Sequence, residues 1–141
     1  MLSYYRAQHW GQSWLVSLTT ILDSCALLLV GGEGLAAAQA RLTYRMGLHL
    51  LQDLFAALAI PSDPATRGRL ADADIPALIA ASRASGLQLN LDNAATTELL
   101  RLVSRYDVEL VELSGYLLIP LPSWIPPKSA AQDTRTGDWD E

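Results

Sequence analysis

The sequence has little of what secreted, nucleic-acid-binding or covalently catalytic proteins usually carry. It contains one cysteine, Cys25, so no disulfide can form within the chain, and a reducing compartment is expected. Ten basic residues stand against fifteen acidic ones, and the arginines are scattered singly without forming a basic stripe. The first residues have neither the basic start nor the apolar core of a signal peptide. A disulfide-stabilised secreted domain is therefore excluded, and no nucleic-acid partner is expected.

Aromatic residues are also scarce, at 7%, although half of the 141 residues are hydrophobic. Leu and Ala dominate instead, and this composition favours helices over a sheet rich in Val, Ile, Tyr and Phe. We predict an all-α fold, a bundle of about four helices over residues 1–119. Four prolines between positions 120 and 127, followed by a polar end, predict an extended or disordered Pro-rich tail over residues 120–141.

The longest apolar run, residues 13–30, is nearly long enough to span a bilayer. A spanning helix needs about 20 predominantly apolar residues, and here Asp23 lies mid-run among several hydroxyl side chains. We therefore predict a buried helix of a soluble bundle, beginning at Ser13 as N-cap and ending at the glycines of 31–34. The hydroxyl stripe of this helix is expected to pack inside its own bundle, with a partner subunit as the alternative; its members are Ser13, Ser17, Thr20 and Ser24.

A second helix is predicted from Leu35 to Ile60, and the short glycine loop before it makes the two helices an antiparallel hairpin. Its core face is expected to be the apolar stripe Leu35, Ala38, Leu42, Met46, Leu50, Leu54 and Leu58, widened by Leu51 and Phe55. A third helix is predicted from the N-cap Asp74 to Ser85, and one long helix from Asp92 to Leu118. The loop over residues 61–74 is assigned no site.

Asp23 is the sharpest polar candidate, because a carboxylate in a Leu-rich helix must be paired, protonated or at a wet edge. Folding about the glycine loop brings Asp23 to the level of Arg41 and Arg45, so we expect a structural pair with one of them. An oligomer contact or a ligand site remains the alternative for this carboxylate.

Other groups carry weaker signals. The chain has two histidines and one thiol, too few soft ligands for structural zinc, and a site built from His49, Asp53 and Asp23 is improbable. Cys25 is expected to be a small core residue, since its apolar surroundings raise the pKa of a thiol. The glycines at 31–34 follow a helix and so form a hairpin turn and not a phosphate-binding loop. We predict no enzyme activity, cofactor or metal.

An aromatic cluster with one cation opens the chain. Such residues gather at membrane interfaces, and they also form hydrophobic edges that pack on a bundle or on another subunit. Composition leaves both alternatives open. The candidate membrane-proximal or interface residues are Tyr4, Tyr5, Arg6, Trp10 and Trp14.

Four segments, residues 2–9, 12–15, 22–27 and 116–126, resemble the cytoplasmic region that follows the two-helix pore of bacterial potassium-channel-like membrane proteins. The resemblance implies a non-enzymatic cytosolic domain at the cytoplasmic face of the inner membrane, with the parent's pore segments N-terminal to it. It implies a homo-oligomer in which the domain serves subunit assembly or gating regulation. The pore and its selectivity-filter sequence are absent here, so this chain alone cannot conduct ions. The alternative function is a soluble helical sensor that binds an apolar small molecule between its helices.

Overall fold

The computed structural model describes residues 2–125, with side chains described from residue 14 to residue 125. This part of the chain contains helices and no strand, and the predicted all-α bundle is confirmed. The helices are α1 Leu2–Gly31, α2 Gly34–Leu58, α3 Ile75–Ala84, α4 Asn93–Ser104 and α5 Asp107–Leu117, with a short 3-10 turn at Asp72–Asp74.

The first two helices form a long antiparallel hairpin that makes the largest helix pair of the fold. A two-residue link joins them, and Gly34 begins α2 with a φ of 65°, which glycine adopts without strain. Opposite Gly47 of α2, the side chain of Leu22 fills the space that a Cβ would need. Helix α4 packs on α1, and α5 packs on α2, so the second half of the chain covers one side of the hairpin.

Helix α1 is longer than predicted, because it begins at Leu2 and not at Ser13. Residues 2–12 contain no proline that would interrupt the helical backbone. Helix α3 agrees with its prediction: Asp74 is the N-cap position, Pro76 lies in the first turn, and Ser85 is the C-cap. Leu78 and Ser82 of this helix are buried.

The predicted core face of α2 is correct only toward the end of the helix, where Leu51 is buried and Leu54, Phe55 and Leu58 are partly buried against the core. The rest of the predicted stripe is exposed to solvent, and the buried residues of α2 are Ala40, Tyr44, Gly47 and Leu51. The helix is apolar on two faces, and on the buried one the small residues Ala40 and Gly47 let α1 approach closely between the larger Tyr44 and Leu51. Apolar periodicity cannot distinguish the two faces, because burial of the hairpin depends on backbone approach as well as on hydrophobic area.

The hydroxyl stripe of α1 is also on the outside, against expectation, since Ser17, Thr20 and Ser24 are exposed. The hydroxyl that is fully buried belongs to Thr19, which donates to the Leu15 carbonyl at 2.8 Å. The window Trp14–Gly31 has the length and hydropathy of a membrane-crossing helix, and 33% of it is buried within the fold. The apolar segment is thus buried within the fold on one face only, whereas the sequence predicted a buried helix.

The predicted long C-terminal helix is broken into α4 and α5 at residues 105 and 106. Tyr106 has a φ of −130° and a ψ of −21°, outside helical geometry, and its side chain is fully buried. The break lets Tyr106 and Asp107 turn into the bundle, where both find polar partners. Side-chain periodicity continued across this point, so the sequence pattern did not reveal it.

The chain after α5 folds back onto the bundle as far as it is described. Ile119, Leu121 and Trp124 are partly buried against the core. The rest of the predicted tail, residues 126–141, lies outside the described residues.

Candidate functional site

The most connected polar feature is a cluster in which Arg69 holds two carboxylates, which we call the Arg69 cluster. Its members are Asp23 of α1, Arg69 of the loop before α3, and Tyr106 and Asp107 at the start of α5. The guanidinium meets Asp23 as a fork, with Nη2 to Oδ1 at 2.8 Å and Nη1 to Oδ2 at 3.0 Å. Its Nε donates to Asp107 Oδ1 at 2.7 Å.

Asp107 anchors the loop as well as the guanidinium. Its Oδ2 accepts the backbone N–H groups of Arg69 and Leu70, the latter at 3.3 Å. A Cβ placed at Gly68 would lie 2.7 Å from the same oxygen, so the loop can approach this closely only with glycine at that position. The buried carboxylate thus accepts three hydrogen bonds from the loop.

The cluster also holds the chain that follows α5. Arg69 Nη1 donates to the Pro122 carbonyl at 2.9 Å, and the guanidinium carbon lies 5.7 Å from the centre of the Trp124 ring. This distance is within the range of a cation–π contact. One arginine therefore joins α1, the loop before α3, α5 and the C-terminal segment.

Burial sets the protonation behaviour of these groups. It raises the pKa of Asp23 above its ordinary value, while Arg69 and the Tyr106 hydroxyl, donating at 2.7 Å, act in the opposite direction. Burial also raises the pKa of Tyr106, and the neighbouring Asp23 charge adds to that rise. For Arg69, burial alone would lower the pKa, but its bonds and attraction to both carboxylates outweigh this and raise it. The arginine stays charged, and the phenol stays neutral at physiological pH.

The predicted pairing of Asp23 with Arg41 or Arg45 is wrong. Both arginines are exposed, on the side of α2 that faces α4, where they line a shallow cleft with Glu98 and Arg101. The partner is Arg69, from the loop that the sequence pattern left without a site. The expectation that Asp23 pairs with a cation is confirmed. The wrong partner was chosen because the sequence shows which residues of the hairpin lie at the same level, but not the path of the loop that carries Arg69.

The second feature is an apolar surface on the hairpin, which we call the hairpin face. It consists of seven large side chains that are between 40% and 78% exposed: Trp14, Ile21, Leu28, Leu35, Leu42, Met46 and Leu50. Trp14 is thus 40% exposed, and both alternatives for it, a membrane interface and a packed hydrophobic edge, stay open. The side chains of Tyr4, Tyr5, Arg6 and Trp10 lie outside the described residues.

Helix geometry places these seven side chains on one side of the hairpin. On α1, Asp23 points toward the Arg69 cluster, whereas Trp14, Ile21 and Leu28 lie on the opposite flank. On α2, the flank with Arg41 and Arg45 borders α4, and the exposed apolar stripe lies on the other flank. Since α4 and α5 cover the same side of both helices, both apolar stripes face away from them.

A groove lies at the C-terminal end of α1, beside the segment that links α3 to α4. Its volume is about 550 Å³, and it is lined mainly by apolar side chains, among them Leu27, Val30, Leu87 and Leu91. Ser24 and Asn90 are polar groups at its wall. Volumes of this order accommodate a small organic molecule.

Among the side chains of residues 14–125, no group of three or more His, Cys, Asp or Glu residues is arranged to hold a metal ion. Cys25 is buried, and burial raises the pKa of its thiol. The chain matches no protein-family model, no curated protein and no solved structure.

Proposed function

We propose that this chain is a non-enzymatic cytosolic domain of an ion-channel-like bacterial membrane protein, and that it serves subunit assembly or the regulation of gating. The observation that supports the proposal is the hairpin face. Taking each large apolar side chain as about 200 Å² when fully exposed, the exposed fractions correspond to about 760 Å² of apolar surface. Monomeric soluble proteins rarely leave so large a contiguous apolar patch uncovered, and such patches usually mark interaction sites.

The resemblance of residues 2–9 and 116–126 to the region after a two-helix pore supplies the cellular setting of the proposal. In that setting, the domain lies at the cytoplasmic face of the inner membrane, and the parent's pore segments precede it. A domain there can bias opening only if its contacts differ between the closed and open states. The hairpin face offers such contacts. One of its two apolar stripes lies on α1, the helix that would follow the pore segments directly in the parent protein.

The test uses the full-length parent protein with and without residues 2–141. Loss of subunit assembly, or a changed open probability in patch-clamp recordings, is the result expected if the domain assembles or regulates the pore. Unchanged assembly and conduction in the truncated protein would refute the proposal. Translation of the codons upstream of Leu2 provides an independent check, since two apolar spans are expected there.

The groove beside α1 supports a second candidate, a helical sensor that binds an apolar small molecule. No charged side chain lines the groove, so an uncharged ligand with one or two hydrogen-bonding groups would suit it. A fluorescent apolar probe such as N-phenylnaphthylamine tests this directly. Gly31→Phe should weaken probe binding at least about tenfold, because a Cβ at this groove-lining residue enters open space and the ring would occupy the groove.

The matched control is Gly115→Phe, at a helical glycine outside the groove that also has open space around it. Equal probe binding by the wild type and both variants would refute a ligand site in this groove.

A further inference from the structure

We propose that the hairpin face binds a second copy of this chain, so that two hairpins form a four-helix interface about a twofold axis. The inference rests on the proposed function, because it names the partner of the same face. In a twofold interface each copy presents the same surface to the other. An uncharged apolar face carried by two antiparallel helices is complementary to itself in this way.

The size of the hairpin face fits a dimer. A stable interface buries about 800 Å² per partner, of which somewhat more than half is apolar. The hairpin face supplies about 760 Å² of apolar surface before any polar rim is counted. One copy of the face can therefore sustain a specific interface without help from the rest of the surface.

The spacing of the exposed residues fits packing against other helices. Trp14, Ile21 and Leu28 recur every seven residues on α1, and Leu35 and Leu42 repeat the interval on α2. Side chains at this interval stay on one seam when two helices cross at a shallow angle. The exposed serines of α1, at positions 17 and 24, lie between the large residues and leave room for a partner helix to approach.

The charges on and around this face favour a protein partner over a bilayer. Helices that lie on anionic membranes carry Lys or Arg beside their apolar face. Between Trp14 and Leu50 the charged residues are Asp23, Glu33, Arg41 and Arg45, two acidic and two basic, so the hairpin carries no excess of basic charge. The net charge of −5 on the whole chain disfavours an anionic membrane, whereas the seven side chains of the hairpin face carry no charge that a second copy would have to bury.

The experiment is sedimentation equilibrium of the full chain over a range of concentrations. The wild type should give twice the 15.3 kDa chain mass at concentrations on the order of 10 µM. The double variant Leu42→Glu with Met46→Glu places charges in the centre of the face and should raise the dimer dissociation constant at least about 100-fold. Both substituted side chains are more than half exposed, so the helical circular dichroism spectrum should be unchanged.

The matched control is Leu118→Glu, at a residue 87% exposed that lies outside the hairpin face, and it should leave the dimer intact. A wild-type chain that stays monomeric, or a control that dissociates as much as the double variant, would overturn the proposal. So would binding of the wild type, and not of the double variant, to vesicles of phosphatidylglycerol, because the occupant would then be lipid.

The two proposals fail in different ways. A solution dimer combined with normal assembly and conduction of the truncated parent would refute the proposed function and leave the interface standing. A monomeric chain combined with a defective truncated parent would refute the interface and leave the function standing.

Discussion

Replacing Arg69 by methionine should lower the free energy of unfolding more than a substitution at an exposed residue does. The methionine keeps most of the aliphatic volume but removes the guanidinium that bonds Asp23, Asp107 and the Pro122 carbonyl. The Asp107 side chain is only 2% exposed, so its charge would remain buried without a cation. Asp23 is 16% exposed and would keep the bond from Tyr106.

The expected loss of unfolding free energy depends mainly on Asp107, the carboxylate that would stay buried without a cation. Removing one partner of a buried ion pair typically costs about 3–5 kcal/mol, because the remaining charge is uncompensated. Asp107 keeps its two backbone N–H donors, which moderates the loss, whereas the cation–π contact to Trp124 disappears and adds to it. We therefore expect Arg69→Met to lower the free energy of unfolding by about 3–4 kcal/mol.

Urea unfolding followed by circular dichroism measures this, at one fixed protein concentration because dimer formation would contribute to stability. The matched control is Arg67→Met, on the same loop but exposed, which should change the free energy of unfolding by less than about 0.5 kcal/mol. If Arg69→Met proved as stable as this control, the cluster would not hold the fold together as described here.

Two further predictions concern the hairpin and the buried phenols. Gly47→Val should destabilise the protein by about 2–3 kcal/mol, since a Cβ there would meet the fully buried Leu22 side chain at 2.7 Å. The control Gly115→Val places its side chain in open space and should leave the free energy of unfolding nearly unchanged in the same urea assay. The pKa values of Tyr44 and Tyr106 are raised by burial above the ordinary value of 10.0, so stability that is complete below pH 10 should fall as the pH rises beyond it. Absorbance titration should then show the phenolates of these two residues appearing only with loss of helical signal; their ionisation in the folded protein would contradict the burial argument.

The helical hairpin was readable from the sequence because its signals are local. Leu-rich composition, glycines at the turn and proline after the second helix depend on neighbouring residues and on backbone geometry alone. The third helix was predicted from the same kind of evidence, with Asp74 and Pro76 at its start. These features do not depend on how the rest of the chain folds.

The partner of Asp23 could not be predicted in this way. The sequence showed that the carboxylate needed a cation, but Arg69 is 46 residues away along the chain, in a loop with no periodicity. Its position depends on Gly68 allowing close approach and on Asp107 accepting the loop's N–H groups. Asp107 in turn reaches the cluster only because the predicted long helix breaks at Tyr106.

The sequence by itself determined that the chain is all-helical and where the first turn lies, and it made an ion pair the expected state of Asp23. The tertiary structure alone decided which arginine pairs with it and which apolar face of α2 is covered. Local hydrogen bonding and hydrophobic periodicity fix an element without reference to distant residues, whereas an ion pair and a choice between two apolar faces depend on which backbones can approach each other. Gly47 and Gly68 lie at two such close approaches, while seven large apolar side chains of the hairpin stay in contact with solvent.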